Sequence, residues 1–364
     1  MSEAEESEGK PLFISTREKR PYAIIAIICF LIVLFQGMRI VDIVYLDIFK
    51  SILSSNFSSI NPNEGYLVEG IIGDLIGIAY TAMGLGRLTT QLLWWITGLG
   101  LLVIVVAYSL NDRSILLRDL ILIVAFSRVI DTLSLWVGKF DPFLLSFLIL
   151  TANKNKKVAL IGIVLAALTH PIIAVISTAG VVLVGIAFAG IWFPAAIVAA
   201  LSAALLDVGL FHYFLPSLWN HAELVWNLRD LLLSGGVHWG LITLCSSILV
   251  PFLSIQHFKP PVRFATSPHT IFLVFWIFIV VIISALVLDH TRVACLLTIA
   301  PLIVFLRSQN SGSDKAEVSK FSNAFIILLL SRLVIPHIDV NGPQLFLWDS
   351  MVNKWIDLFF YLSS

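Results

Sequence analysis

Residues 158–206 read VALIGIVLAALTHPIIAVISTAGVVLVGIAFAGIWFPAAIVAALSAALL, a run of 49 residues without a formal charge. A helix crosses a bilayer with about 20 apolar residues, so this run must fold back on itself. Two or three passes are possible, and two would reverse everything downstream; the glycine and proline breaks suit three: 158–170, 172–190 and 191–212. The rest of the chain has the same character. Of 364 residues, 59% are hydrophobic and 13% are charged, where a soluble domain carries about 25% charged residues. Mean hydropathy is +0.96. This composition excludes a soluble enzyme, a disordered tail protein and a disulfide scaffold. Cys29, Cys245 and Cys295 lie far apart in apolar runs, as small buried hydrophobes do. Lys+Arg and Asp+Glu are both 23, and without a basic excess no nucleic-acid partner is expected.

The fold class read from this pattern is all-α: a polytopic membrane protein. Residues 1–20 form a polar tail, acidic and then basic, ahead of the apolar run 21–38. That run is too long for a signal-peptide core and reads as an uncleaved anchor. Its basic flank places the N-terminus in the cytoplasm. Further uncharged runs occupy 88–111, 120–127 (continuing past Arg128 and Asp131), 142–153, 239–256, 270–288, 293–306 and 321–331. With three passes in 158–206 the count is about 11 transmembrane helices, and 21–364 is a single integral membrane domain. The cytoplasmic pieces are then 1–20, 111–118, 153–157, 257–268 and 307–320, holding 14 of the 23 Lys and Arg residues against seven outside. That bias agrees with the positive-inside rule. Residues 67–86, with Glu69, Asp74 and several glycines, read as a helix at or dipping into the outer interface.

This orientation sends the unusual polar clusters to one outer face. Outer loop 39–87 carries Asp42 and Asp47, and a later turn is Gly138-Lys139-Phe140-Asp141-Pro142. Thr169-His170-Pro171, Asp289-His290-Thr291-Arg292 and Pro336-His337-Ile338-Asp339 follow, with a further outer loop at 213–238. Polar groups near a membrane are costly and are retained for function or for pairing. The pieces 142–153 and 158–170 are each too short to span; each reaches only about 20 Å against a core of about 30 Å. As a hairpin with its tip at 153–157, they leave Asp141-Pro142 and His170-Pro171 below the outer surface, in a recess. Two amphipathic stretches suit the interface. Val41, Val44, Tyr45, Ile48 and Ile52 stripe one within the first outer loop. Trp348, Met351, Val352, Trp355, Ile356 and Phe359 stripe the other, within 345–362.

Other residues have simpler readings. Arg128 and Asp131 sit three apart and can neutralise each other. No phosphate-binding loop, HExxH motif, Gly-x-Ser-x-Gly elbow or cysteine metal pattern is present. The eight histidines are scattered, so a zinc site built from protein ligands alone and a cofactor are not expected, a divalent metal staying open.

The order Gly138-Lys139-Phe140-Asp141-Pro142, short apolar helix, basic turn 153–157, second short helix, Thr169-His170-Pro171 resembles the middle of GT-C-type integral membrane glycosyltransferases. Some of those families carry a Gly-Gln-x-Asp-Pro-like turn, a basic turn and a Lys-Pro-like end in this order. The resemblance covers roughly 131–172 and the plan of a long first outer loop with acids. Here Lys139 stands in place of the glutamine and His170-Pro171 in place of Lys-Pro. The resemblance implies sugar transfer from a polyprenyl-phosphate-linked donor to a saccharide or lipid acceptor on the outer face of the membrane; with no eukaryotic sorting signal evident, a bacterial inner membrane is expected. Asp42 or Asp47 would serve as the catalytic base. Lys139, His170, His290 and Arg292 would hold phosphate, and Asp141 would bind a sugar hydroxyl or orient Lys139. Asp289, His337 and Asp339 complete the expected substrate-binding set. Competing classes are a polysaccharide polymerase or ligase using the same lipid-linked donors, and a transporter, which predicts deep charges and an internal repeat.

Overall fold

The computed structural model describes residues 70–115, 117–126, 128–135, 137–185, 192–214, 268–285, 290–309, 337–339 and 342–344, with isolated positions within 23–54 and at 356 and 359. The described chain is predominantly helical. Its helices are α1 (Ile71–Ala82), α2 (Arg87–Asn111), α3 (Leu117–Phe126), α4 (Val129–Leu135) and α5 (Asp141–Thr151). They continue as α6 (Lys156–Thr169), α7 (Pro171–Val184), α8 (Trp192–Phe214), α9 (Pro268–Ala285) and α10 (His290–Gln309). One short antiparallel hairpin, β1 (His337–Asp339) with β2 (Gly342–Gln344), pairs His337 with Gln344 and lies against α10.

The 49-residue run forms α7, nearly all of α6 and α8 as far as residue 206. His170, extended at φ −155°, separates α6 from α7. Pro171 follows at the first position of α7, where its fixed φ is helical and its missing N–H is not needed. Asn155 caps α6 by accepting from the Lys157 N–H at 3.0 Å. Helices α5 and α6 thus make the short hairpin that their run lengths predict. Gly162 lets them close together: a Cβ there would stand 2.7 Å from both the Leu150 Cβ and the Thr151 nitrogen. Where the surroundings are apolar too, such close packing rather than water exclusion joins helices.

Helix α5 is the innermost element. Asp141 through Ile149 and Thr151 are all buried. Its hydroxyls bond within the helix, Ser146 to the Pro142 carbonyl and Thr151 to the Leu148 carbonyl, both at 2.6 Å. Helix α10 is buried from Val293 to Ala300 and packs on α5, α7 and α9. In contrast α2, α8 and α9 turn large apolar side chains outward, among them Val103, Ile104, Leu205 and Phe278. Within α2, Leu88–Asn111 is long and apolar enough to cross a membrane.

One expectation needs correction. The pass through 120–135 is not a continuous helix; it breaks between α3 and α4, and Arg128 sits in the break at 1% exposure. A buried guanidinium needs acceptors for five N–H groups. A helix interior offers none, whereas a helix end leaves carbonyls available. Residues 239–256 and 321–331, the amphipathic stretch 41–53 and most of 345–362 lie outside the described residues.

The polar contacts sort to two opposite ends of the α5–α6 hairpin. At its tip, Asp112 accepts from Asn153 Nδ2 at 2.8 Å, the Lys154 ammonium donates to the Asp112 carbonyl, and the Lys154 N–H donates to Ser114 Oγ at 3.1 Å. Arg307 donates to the Ala152 carbonyl there at 2.5 Å. At the open end lie Gly138 to Asp141, Thr169-His170 and the first turn of α10.

Candidate functional site

The open end is built around a loop whose shape is fixed locally. Gly138 takes φ +98°, a region that costs any residue with a Cβ. Its carbonyl accepts a hydrogen bond from the Trp94 indole N–H of α2. Phe140 stacks on the same indole with ring centroids 5.4 Å apart. Gly73 of α1 lies over the other side of the phenyl ring, where a Cβ would come within 3.3 Å. The Gly70 N–H donates to the Thr169 carbonyl at 2.5 Å, tying the start of α1 to the end of α6. Ile40, at the start of the first outer loop, forms an isolated parallel bridge with Val137.

On this frame a buried ion pair forms. Arg292, in the first turn of α10, holds Asp141, in the first turn of α5, through both carboxylate oxygens. The contacts are Nε to Oδ2 at 2.7 Å, Nε to Oδ1 at 3.0 Å and Nη2 to Oδ1 at 2.6 Å. Asp141 is 1% exposed and Arg292 8%. A forked, desolvated pair of this kind fixes geometry strongly because guanidinium and carboxylate match in shape. His170 lies within electrostatic range of Arg292, Asp141 and Lys139. Its Nδ1 faces the Ile173 N–H at 3.5 Å, a long N-terminal cap of α7. Lys139 is buried at 6% exposure.

Three helices, α5, α7 and α10, therefore start at this cluster. Each helix start carries partial positive charge from unsatisfied N–H groups. Among the described residues, two cationic side chains and one carboxylate stand among these termini. The balance favours an anion.

Of the residues expected from sequence, the structure brings Lys139, Asp141, His170 and Arg292 together. Asp141 is the partner of Arg292, a pairing the sequence reading did not make. His290 begins α10 and His337 and Asp339 lie in β1, with their side chains outside the described residues. Asp42, Asp47 and Asp289 also lie outside them. Sequence reasoning missed Trp94, which hydrogen-bonds the loop, and Gln91 and Trp95 beside it; all three sit in an uncharged run that was read only for its length. Among the described residues no three His, Cys, Asp or Glu side chains gather as metal ligands. No family model, curated protein or solved structure matches this chain.

Proposed function

We propose that the protein is a multi-pass membrane glycosyltransferase. It takes a sugar from a polyprenyl-phosphate carrier on the outer face and passes it to a saccharide or lipid acceptor. The observation that carries this reading is the cluster of Lys139, His170 and the Asp141–Arg292 pair where three helices begin, at the end of a hairpin shorter than a bilayer. Such a recess suits a phosphate held just below the membrane surface. The apolar faces that α2, α8 and α9 turn outward suit a lipid environment. In the proposed arrangement of about 11 passes, the tip contacts of Asp112, Lys154 and Arg307 lie in the cytoplasm with the N-terminus. The recess opens on the other side of a bacterial inner membrane.

The chemistry follows from charge. The acceptor hydroxyl attacks the anomeric carbon and the bond from that carbon to the phosphate oxygen breaks. The hydroxyl proton goes to a carboxylate, and the polyprenyl phosphate leaves with the bonding electrons. Negative charge grows on that phosphate as the bond lengthens, so donors already in place favour the transition state. Lys139, Arg292 and His170 are those donors, with Asp141 holding Arg292 in position. Asp42 or Asp47 takes the proton; Asp42 is two residues beyond Ile40, which bridges the loop beside Lys139.

The test is transfer in nanodiscs. Purified protein is given a polyprenyl phosphate bearing a radiolabelled hexose, with a panel of saccharide and lipid acceptors. Label moving to an acceptor, and lost in Arg292→Lys, supports the reading; lysine cannot make the forked contact. Elongation of the lipid-linked saccharide itself would identify a polymerase instead. Movement of the intact lipid-linked sugar without bond cleavage would identify a transporter.

A further inference from the structure

Two polar groups on α2 are buried and unsatisfied among the described residues. Gln91 is fully buried, at 0% exposure, yet neither atom of its carboxamide has a hydrogen-bond partner among the described residues. The indole N–H of Trp95 is also buried without a partner among the described residues. A buried amide left unsatisfied is unfavourable, so its retention asks for a reason. Gln91 and Trp95 are four residues apart and therefore share a helix face. Their position on that face is fixed by the residues between and after them. Trp94 donates to the Gly138 carbonyl, and Gly98 meets Pro142 and Phe143, where a Cβ would come within 2.9 Å. The 91–94–98 side of α2 is thus the side laid along the loop and the start of α5. Gln91 stands about one turn, roughly 4.5 Å, before Trp94. Helical side chains lean toward the N-terminus, which carries the carboxamide past the Gly138 carbonyl, beyond the start of α5.

We infer that Gln91 and Trp95 bind the hydroxyls of the glycosyl unit whose phosphate the Lys139–His170–Arg292 cluster holds. This rests on the function proposed above and adds to it where the sugar lies. The chemistry distinguishes the two parts of the ligand. A phosphate offers acceptors only, and cations with helix N-termini answer it. Sugar hydroxyls both donate and accept. A carboxamide matches them with one C=O and two N–H groups, and an indole adds one N–H.

The experiment measures binding of two lipids to the full-length protein in nanodiscs, read by tryptophan fluorescence. One is a bare polyprenyl phosphate and the other a hexosyl polyprenyl phosphate. The variants are Gln91→Leu and Trp95→Phe, with Arg292→Lys as the phosphate control. The wild type binds the hexosyl lipid about 10-fold more tightly than the bare one. Gln91→Leu and Trp95→Phe each lose that preference while keeping wild-type affinity for the bare lipid. Gln91→Leu also raises the unfolding temperature of the lipid-free protein, because it removes an unsatisfied buried amide. A purely structural glutamine would lower it. If both variants keep the 10-fold preference, the assignment of Gln91 and Trp95 is overturned and the phosphate site stands. Should the wild type bind neither lipid, the proposed function falls and the inference with it.

Discussion

Removing one member of the Asp141–Arg292 pair should destabilise the protein far more than removing both. Both side chains are buried, with Asp141 at 1% and Arg292 at 8% exposure, and they share three N–H to oxygen contacts of 2.6–3.0 Å. Asp141→Asn takes the carboxylate away from a buried guanidinium that also sits near three positive helix ends. Breaking a buried pair in this way costs about 3–5 kcal/mol. The unfolding entropy sets the corresponding temperature shift. At about 2.1 cal/mol/K per residue, 364 residues give about 0.76 kcal/mol/K. The expected fall in unfolding temperature is then roughly 4–7 °C for a chain that unfolds as one unit. The double variant Asp141→Leu with Arg292→Met leaves no charge behind and places apolar groups of similar volume. Replacements of that kind are commonly neutral or stabilising, by up to about 4 kcal/mol. The assay is thermal unfolding in detergent, followed by intrinsic fluorescence, on wild type, both singles and the double. The predicted order is Asp141→Asn below Arg292→Met, both below wild type, with the double at or above wild type. The double should nonetheless bind no polyprenyl phosphate. A double variant that falls by the sum of the singles would mean that the two residues are not coupled. The ion pair would then not be the organiser of the site.

Four further outcomes follow from particular contacts. Gly138→Ala forces a Cβ at φ +98°, at a cost of about 1–2 kcal/mol; the unfolding temperature should fall by a few degrees and sugar transfer more steeply. Trp94→Phe removes the donor to the Gly138 carbonyl while keeping an aromatic ring against Phe140; transfer should drop with little change in unfolding temperature. Gly180→Ala drives a methyl to within 2.3 Å of the Trp276 ring, an overpacking cost of about 1–3 kcal/mol, and Trp276→Leu in the same chain should recover part of it. Single cysteines at Met83 and Lys156, both exposed, test the orientation: an impermeant thiol reagent added outside intact cells should label Met83→Cys and spare Lys156→Cys, and labelling at both or only at Lys156 refutes the two-sided arrangement.

The helical class was legible because it depends only on composition and run length. The three-way folding of 158–206 was legible for the same reason: a run of 49 uncharged residues exceeds one helix, and His170-Pro171 supplies a stop and a start. The α5–α6 hairpin came from arithmetic too, since neither piece reaches across a bilayer. What failed was the break between α3 and α4. Apolar periodicity continues through it, and the signal is a single buried arginine whose need for acceptors is a tertiary matter. The Asp141–Arg292 contact joins residues 151 positions apart, and no local pattern encodes that. Gln91 escaped notice because a count of charges passes over a neutral amide. In an apolar helix, however, an amide has the same need of partners as a charge has of neutralisation.

The short hairpin is what makes these facts one device. In the membrane arrangement proposed above, a full-length pass would bring the starts of α5 and α7 to the membrane surface, where water would screen Arg292 and Asp141 and weaken their attraction. Ending the helices early keeps the cluster within protein, with the Trp94–Phe140 stack and α1 packed at its rim. In that setting the pair must be matched completely, which the forked contact achieves. The buried Lys139 and the starts of α5, α7 and α10 add positive charge at the same end of the hairpin. Under the proposed function, a neutral ligand would not answer that charge, and a free soluble anion would leave the outward apolar faces of α2, α8 and α9 unused. The lipid-linked phosphate proposed above would meet both requirements. For that reason the bare carrier, without any sugar, should already protect the wild-type protein against thermal unfolding and give no protection to Arg292→Met.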